Sequence, residues 1–268
     1  MRALITNDDG IESPGLAVLA RVALDAGYEV TVAAPAREFS GASASLLGVE
    51  VDGRLAVEEK ASPGLPPEVR SLAVGAAPGL IAFLAAHDGF GPRPALLLSG
   101  VNRGPNTGHA VLHSGTVGAA FSAMTHDIHA MAVSMAADRP RHWETARVVA
   151  AHVLPWVTEQ PPGRGVLNVN VPDVPTADLR GVRKAPLARF GAVQATVQAD
   201  EAGQHTVRYT EIDPTQEQES DAGLLAAGWA TLTLLQAPCY DAAADLPQHV
   251  PGAPPGREAA ETGGTARD

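Results

Sequence analysis

The sequence contains a single cysteine, Cys239, among its 268 residues. One thiol forms no internal disulfide, and without a second cysteine the chain has no CxxC pair for zinc or redox chemistry. No apolar run approaches the ~18 residues of a membrane span. The amino-terminal segment MRALITNDDG turns acidic at Asp8 and does not resemble a secretion signal. We therefore expect a soluble, cytoplasmic protein without a membrane partner.

Positive charge is also scarce, because 19 Lys and Arg residues face 30 Asp and Glu residues, which gives a net charge of -11. A nucleic acid polymer is held by clustered cations that neutralise many phosphates, so this balance argues against such a partner. A small anionic substrate is compatible with it where a metal ion and backbone amides bind the anion.

Aromatic residues make up only 4% of the chain, so its core must come from aliphatic strands covered by helices. Short apolar runs alternate with helix-length patterns, which is typical of a parallel sheet buried on both faces. The pattern predicts strands at Ala3–Thr6, Glu29–Ala34, Ala95–Ser99, Ala130–Met135, Val166–Val171 and Ala230–Leu235, and helices at Pro14–Ala26, Gly79–His87, Val117–His126 and Trp143–Gln160. We therefore expect an α/β fold with a doubly wound, mainly parallel sheet.

Two stretches break this rhythm. In Leu46–Val74 apolar and polar residues alternate, and Gly and Pro interrupt the pattern, which predicts an antiparallel excursion from the sheet. Leu179–Thr210 contains two strand-like runs around a turn, Gly191–Ala199 and His205–Thr210, and these predict a projecting β-hairpin arm of the kind that often forms an oligomer contact.

The carboxyl-terminal sequence has no periodicity beyond Tyr240. Its content of Ala, Pro, Gly, Thr and charged residues predicts that Asp241–Asp268 is largely disordered. The chain is thus expected to form one domain over residues 1–240, with the arm at about 179–210.

Ligands of an open α/β sheet bind beyond the carboxyl ends of its strands. The first strand ends at Asp8 and Asp9, followed by Gly10. Adjacent side chains reach one ion only where the chain is already turning, which Gly10 permits. Carboxylate oxygens suit Mg²⁺ or Mn²⁺, whereas the alternative interpretation is a turn with solvated acids.

The loop after the second strand, Phe39–Ser45, is rich in Ser and Gly. Ser40 can complete a metal shell and Ser43 can donate to a phosphoryl oxygen, although such segments are usually ordinary loops. The GxSxG nucleophile elbow of serine hydrolases is absent.

The third strand leads into a segment dense in Gly and Asn, with Asn102 and Asn106, and then into Ser114-Gly115-Thr116 at a helix start. The amides and partial positive charge of a helix N-terminus bind anions. This density favours a binding site over a structural loop. His109 and His113 lie inside this segment and can act as acid or base, but a histidine at a helix entry is as often structural.

The remaining histidines give no comparable signal. His126 and His129 straddle a predicted helix end and the next strand, which favours solvated or capping roles over a metal pair. HExxH, Walker A and GxGxxG spacings are absent, which disfavours zinc proteases, P-loop NTPases and dinucleotide enzymes.

Four motifs and a strand occur in order along the chain: TNDDG, SGAS, SGVNRGPNTG, HSGTVGAA and AMAVS. Together they resemble the SurE survival-protein family of 5'/3'-nucleotidases, continuously from Met1 to about Ser134 and more loosely at Val166–Pro172 and Ser220–Leu235. The resemblance implies a Rossmann-like core, a projecting hairpin, a homodimer or homotetramer, and metal-dependent removal of phosphate from nucleoside monophosphates.

Carried over by position, the resemblance also implies a set of site residues. One Mg²⁺ or Mn²⁺ per subunit would be bound by Asp8, Asp9, Ser40 and Asn102. The phosphate would be bound by Asn106, Ser114, Gly115 and Thr116, with Ser43 and His113 beside the substrate. The catalytic group then comprises Asp8, Asp9, Asn106, Ser114, Gly115 and Thr116.

The chain departs from the family pattern where the leaving group is expected. Ala44-Ser45 stands where the family commonly has Asn-Ser, Gly75–Gly79 lacks the hydroxyl, acid and cysteine of a GTPxDC element, and His113 replaces a tyrosine. The metal and phosphate residues are intact, so we expect catalysis to survive with an altered substrate preference.

The expected mechanism is attack on phosphorus by a water that the metal activates. Three alternatives stay open. In the first, Asp8 is a nucleophile that becomes phosphorylated, as in haloacid-dehalogenase-like phosphatases, although those enzymes have acids spaced DxD. In the second, the chain binds phosphate without turnover. In the third, it performs the same chemistry on a pathway-specific phosphorylated metabolite.

Overall fold

The computed structural model describes residues 1–189, 193–199, 205–211, 217–239 and 243. The chain divides into two compact units, Met1–Ala237 and Pro238–Asp268. The first unit carries the secondary structure described below. The predicted disorder of Asp241–Asp268 concerns residues that lie outside the described ones, Ala243 excepted.

Nine strands of the first unit form one mixed, mostly parallel sheet. In sheet order they are β10 (Val182–Lys184), β13 (Ala230–Leu235), β9 (Val166–Val171), β8 (His129–Met135), β7 (Leu96–Arg103), β1 (Arg2–Thr6), β2 (Glu29–Pro35), β6 (Arg70–Val74) and β5 (Val57–Glu59). Only the β13–β9 and β5–β6 pairs are antiparallel. The predicted doubly wound α/β fold is therefore confirmed.

Helices cover both faces of this sheet. Their bounds are α1 (Gly15–Asp25), α2 (Pro78–Ala86), α3 (Gly115–Met124), α4 (Trp143–Glu159) and α5 (Asp221–Ala226). Side chains alternate along each strand, so Leu96 and Leu98 pack with α1 and α4, whereas Leu97 packs with α2 and α3. Burial of both faces explains why the strands are continuous apolar runs. No helix of the described residues is long and apolar enough to cross a bilayer.

The third predicted strand continues further than its apolar run. β7 extends through Gly100 to Arg103, with an irregularity in register between Gly100 and Asn102. Gly100 has a φ of +125°, and a Cβ there would lie 2.2 Å from the Val133 carbonyl oxygen. A glycine is required because the neighbouring strand approaches so closely. The strand therefore places Asn102 directly at the carboxyl ends of the parallel strands.

Leu46–Val74 contains the predicted antiparallel pairs, but its last strand, β6, is a parallel strand of the main sheet, which the sequence pattern did not predict. β3 (Glu50–Val51) pairs with β4 (Arg54–Leu55), and β5 then pairs antiparallel with β6. The chain thus re-enters the main sheet at β6, which pairs in parallel with β2, and β5 forms the edge on that side.

The predicted hairpin is present, but its arm starts later than about residue 179. β11 (Val193–Ala199) and β12 (His205–Glu211) pair antiparallel in a separate two-stranded sheet. Val182–Lys184 belongs instead to the main sheet, because Val182 packs against its core and β10 pairs with β13. The segment predicted as one arm thus comprises β10, at the edge of the main sheet, and the separate hairpin of β11 and β12.

Candidate active site

The predicted site loops meet where the strand order reverses. From β1 the sheet grows through β2 and β6 on one side and through β7 and β8 on the other. Such a switch point opens a crevice beyond the carboxyl ends of the strands. The Phe39 amide donates to the Asp8 carbonyl at 2.8 Å, and the Ser43 amide donates to the His113 carbonyl at 3.3 Å. The three loops are thus joined directly.

Asp8 lies just beyond the end of β1, at this switch point. Its side chain is buried, and it accepts hydrogen bonds from the Thr116 amide at 3.1 Å and the Thr116 hydroxyl at 2.5 Å. Burial raises the pKa of Asp8 to about 6, with the hydrogen bond from Thr116 lowering it and the charge of Asp9 raising it further. The carboxylate is therefore held in place, but its hydrogen bonds offset only part of the cost of burying its charge.

The start of α3 approaches Asp8 closely because residue 115 is a glycine. A Cβ at Gly115 would lie 2.8 Å from the Asp8 Cβ and 2.9 Å from its Oδ2. Ser114 caps the helix, since its hydroxyl accepts from the Val117 amide at 3.1 Å. The Gly115 amide has no acceptor among the described residues. One donor at the positive end of this helix is therefore free to bind an anion.

Asp9 is bound to Arg103 rather than exposed to solvent. Its Oδ1 accepts from the Arg103 Nε at 3.0 Å, and its Oδ2 accepts from the Arg103 amide at 3.3 Å. Burial raises the pKa of Asp9, and the Arg103 guanidinium lowers it. Arg103 also lies 3.9 Å from Glu38, whose other oxygen accepts from the Ser40 hydroxyl at 2.6 Å. Asp9 and Ser40 are thus linked through one arginine and one glutamate.

Asn102, near the end of β7, is oriented by the two residues that follow it. Its side-chain nitrogen, Nδ2, donates to the carbonyls of Arg103 and Gly104, at 3.1 and 2.8 Å. Because both donor hydrogens are used there, the side-chain oxygen is left as an acceptor or ligand. Asn102 adjoins Arg103, whose amide contacts Asp9.

Asn106 is anchored to β8 and β9. Its side-chain nitrogen donates to the Ser134 hydroxyl and its amide to the Asn170 side chain, both at 2.8 Å. Its carbonyl accepts from Asn168 and Asn170, at 2.8 and 2.9 Å. These bonds fix the loop position of Asn106, while no bond joins it to Asp8 or Asp9 among the described residues.

Ser43 and His113 lie together at the rim. Ser43 adopts a φ of +55°, and its hydroxyl donates to the Leu112 carbonyl at 2.7 Å. In this structure that hydroxyl is therefore not aimed at a phosphate. His113 ends a 3-10 helix, Gly108–His113, and its side chain is exposed.

Asp221 binds the start of the 3-10 helix that precedes Ser114. Its buried carboxylate accepts from the amides of Gly108 at 2.9 Å, Ala188 at 2.9 Å and Ala222 at 2.8 Å. Burial raises the pKa of Asp221, and these backbone bonds lower it. Asp221 therefore joins α5 to the start of the 3-10 helix.

The residues around Asp8 fit a hard divalent cation. Burial raises the pKa of both Asp8 and Asp9, and the charge of Asp9 raises that of Asp8 further, so a cation beside these carboxylates would offset the cost of their ionisation. Ser40 and Asn102 add neutral oxygen donors, as Mg²⁺ and Mn²⁺ prefer. Within the described part of the chain no three His, Cys, Asp or Glu side chains form a metal cluster. The candidate set thus consists of oxygen donors, two carboxylates and two neutral groups, without the His or Cys ligands that are usual in a zinc centre.

Sequence reasoning missed six residues that position the site: Glu38, Arg103, Ser134, Asn168, Asn170 and Asp221. One signal was available, because β9 reads VLNVNV and two asparagines are unusual in a fully buried strand. A buried amide group needs hydrogen-bond partners, and here the side-chain nitrogens of both asparagines donate to the Asn106 carbonyl.

The fold and site together define a doubly wound α/β protein with a helix N-terminus beside two buried carboxylates. The chain belongs to the SurE family, because the family model described as Survival protein SurE matches residues 3–194. It is 37% identical over 198 residues to the 5'-nucleotidase SurE of Methylococcus capsulatus, covering 74% of each chain. It is 34% identical over 240 residues to the 5'/3'-nucleotidase SurE of Edwardsiella ictaluri, covering 88% of this chain and 90% of the relative.

A solved structure agrees with this assignment. The crystal structure of the SurE protein from Aquifex aeolicus superposes with a TM-score of 0.72 at 25% identity. The match covers 88% of this chain and 93% of that one. The expected membership of the family is therefore confirmed.

Proposed function

We propose that this chain is a metal-dependent phosphoric monoester hydrolase that releases phosphate from nucleoside 5'- or 3'-monophosphates. The observation that carries the proposal is the contact of the Asp8 carboxylate with the start of α3 through Thr116. It combines a site for a cation with a site for an anion. The nucleotidase names of the relatives support the same class of reaction.

The cation is assigned to Asp8, Asp9, Ser40 and Asn102, with one Mg²⁺ or Mn²⁺ per subunit. When bound, such an ion supplies Lewis acidity, which polarises a phosphoryl oxygen and makes a water more nucleophilic. Thr116 holds Asp8 in position with two donors, and Arg103 holds Asp9. The two aspartates therefore keep fixed directions without relying on each other.

The phosphate is assigned to the Gly115 amide, Ser114 and Asn106. The Gly115 N–H lies at the positive end of α3, and a preorganised donor of this kind lowers a barrier by typically ~3–4 kcal/mol. Thr116, which the sequence also assigned to the phosphate, uses its amide and hydroxyl for Asp8. Its contribution is therefore to orient the aspartate.

The leaving alkoxide needs a proton, which His113 or a water donates. His113 is exposed at the rim, and its carbonyl is joined to the Ser43 amide. His113 directly precedes Ser114, which is assigned to the phosphate, and this position suits a group that faces the leaving group of the substrate.

The preferred leaving group depends on the segment near the start of α2 that departs from the family pattern. Gly79, in the first turn of α2, lies so close to the Ser43 loop that a Cβ there would lie 2.8 Å from the Ala44 backbone. The segment that departs from the family pattern thus contacts the loop beside Ser43. A phosphorylated metabolite of a specific pathway is therefore the second candidate substrate, with the same chemistry.

A substrate panel tests these assignments. Purified protein is incubated with nucleoside 5'- and 3'-monophosphates, sugar phosphates and phosphorylated natural-product precursors, each with Mg²⁺, Mn²⁺ or EDTA. We expect phosphate release with a divalent cation and none with EDTA. Tight phosphate binding without turnover on any substrate would favour the binding-protein alternative, and a trapped phosphoaspartate at Asp8 would contradict attack by water.

The quaternary structure belongs to the same proposal. The hairpin of β11 and β12 forms its own two-stranded sheet, as an element that pairs with another subunit does. We assign it to a homodimer or homotetramer contact. Light scattering on the full chain, compared with a variant that lacks residues 193–211, measures its part in assembly.

A further inference from the structure

Arg103 contacts the candidate cation site with both its main chain and its side chain. Its amide donates to Asp9 Oδ2 at 3.3 Å. Its guanidinium lies against Asp9 Oδ1, with Nε donating at 3.0 Å and Nη2 also 3.0 Å away. Arg103 ends β7 directly after Asn102, so the strand itself places a positive charge beside two of the assigned ligands.

The Asp9 carboxylate has little bonding capacity left for a further partner. A carboxylate has about four lone-pair sites, shared equally by its oxygens. At Oδ1 the guanidinium takes up both sites, and at Oδ2 the Arg103 amide takes up one. The Asp9 side chain is only 5% exposed, so water screens its interactions weakly. A cation that binds Asp9 must therefore compete with the guanidinium for the same carboxylate.

Glu38 offers the guanidinium a second position. Arg103 Nη2 lies 3.9 Å from Glu38 Oε2, so the arginine lies between two carboxylates. The Glu38 side chain is 58% exposed and the Arg103 side chain is 41% exposed, so packing confines neither of them as it confines Asp9. A small movement of the Arg103 side chain would thus exchange the Asp9 carboxylate for that of Glu38.

An arginine in this position has two effects of opposite sign on a bound cation. It orients Asp9, which favours binding, whereas its charge repels the cation, which opposes binding. The orienting effect does not depend on the side chain alone, because the bond to Oδ2 comes from the main chain and burial confines the carboxylate. The repulsion comes entirely from the guanidinium. We therefore expect the repulsion to be the larger effect.

We propose that Arg103 is a built-in counter-ion of Asp9, which a divalent cation must displace towards Glu38, and that it keeps the cation affinity of the site low. The inference rests on the proposed function, because it takes Asp9 as a ligand of the cation. Breaking the ion pair subtracts from the free energy of cation binding. The cation is therefore expected to exchange with the solution rather than to be retained permanently.

Arg37 provides a matched control from the loop that carries Glu38. It is exposed, and its guanidinium lies over the Phe39 ring, 5.6 Å from the ring centroid. No ion pair joins it to Asp9 in the part of the chain that the structure describes. R37Q therefore removes the same charge near the site without freeing the Asp9 carboxylate.

The test is a calorimetric titration of the full chain with Mn²⁺ after treatment with EDTA and dialysis. We expect R103Q to bind Mn²⁺ about tenfold more tightly than the wild type or better, because the repulsion between two cations is removed. R37Q should change the affinity little, since its exposed charge is screened. R103K keeps the positive charge and should stay closer to the wild type than R103Q does. A residue that only orients Asp9 would give the opposite sign.

A crystal structure of the wild type with Mn²⁺ tests the displacement without any variant. We expect Arg103 Nη2 within hydrogen-bond distance of a Glu38 carboxylate oxygen and no longer in contact with Asp9 Oδ1. This measurement decides the matter even where a substitution impairs folding, which circular dichroism of each variant shows.

Two results would overturn the proposal. One is a Mn²⁺ affinity of folded R103Q that is equal to or lower than that of the wild type. The other is a wild-type crystal with bound Mn²⁺ in which both guanidinium contacts to Asp9 Oδ1 remain. Failure of the proposed function is distinguishable from both, because the wild type itself would then bind no Mn²⁺ at Asp8 and Asp9, which removes the basis of this inference as well.

Discussion

Asp8 and Thr116 lie 108 positions apart in the chain, yet both donors of Thr116 bind the Asp8 carboxylate, at 3.1 and 2.5 Å. The tip of β1 and the start of α3 therefore behave as one unit. Any change that moves the helix also moves the carboxylate assigned to the metal. The first predictions concern this contact.

Substituting Thr116→Val removes the hydroxyl donor and keeps the size of the side chain. A hydrogen bond to a charged group contributes about 1.5–3 kcal/mol, so we expect a loss of about tenfold to a hundredfold in kcat/KM. Steady-state kinetics with a nucleoside monophosphate and Mn²⁺ measure it. The matched control is Thr116→Ser, which keeps the hydroxyl and should retain most activity. Equal activity in wild type and Thr116→Val would show that the hydroxyl does not matter.

Substituting Gly115→Ala tests the close approach of α3 to Asp8. The new Cβ would lie 2.8 Å from the Asp8 Cβ, so one of the two elements must shift. We expect weaker Mn²⁺ binding, with an apparent dissociation constant raised by about tenfold or more, because a small displacement of a ligand is costly. Isothermal titration calorimetry measures it. An alanine variant with unchanged Mn²⁺ affinity would contradict this geometry.

The third prediction concerns pH. The pKa of Asp8 is about 6 in the folded metal-free chain and 3.8 in the unfolded reference, so folding takes up a proton between these values. Stability from this group is therefore present at low pH and is lost as pH rises through about 6. A metal ion needs the ionised carboxylate, so its stabilising effect should be larger at about pH 7.5 than at about pH 5.

Thermal unfolding with Mn²⁺ and with EDTA at both pH values gives this difference. In Asp8→Asn the dependence of the metal effect on pH should become weaker, since the substituted side chain does not titrate and only Asp9 of the two assigned carboxylates still does. A wild-type metal effect of equal size at both pH values would rule out Asp8 as a ligand.

Much of the site could be predicted from sequence because parallel strands end at one sheet edge. Asp8, Ser40 and Asn102 each follow a short apolar run, and runs of that kind predict strands without any tertiary information. The contacts between these loops could not be predicted in the same way. The bonds of Arg103 to Asp9 and of Asn168 to Asn106 depend on loop conformation and strand order.

Two other features lay beyond local patterns for similar reasons. The Val182–Lys184 strand is three residues long and pairs with a strand that follows much later, so its run merged with the hairpin arm. His87 and His126 meet only because α2 packs on α3. Local periodicity identifies each helix but not which ends of two helices come together.

Asp221 provides a prediction about stability. Its buried carboxylate accepts three backbone N–H groups, and Asp221→Asn replaces one acceptor oxygen with a donor. Each amide left without a partner costs about 1–3 kcal/mol, so we expect a clearly lower unfolding midpoint and a weakened active-site loop. Differential scanning calorimetry compares it with Asp178→Asn, which changes an exposed acid. Equal midpoints for the two variants would exclude this supporting role.

The most direct test of the central claim is phosphate release by Asp8→Asn and Asp178→Asn from a nucleoside 5'-monophosphate in the presence of Mn²⁺. Folding of both variants is verified by circular dichroism. We predict that Asp178→Asn matches the wild type and that Asp8→Asn falls to the level of the wild type in EDTA. Near-normal turnover by a folded Asp8→Asn protein would contradict the account.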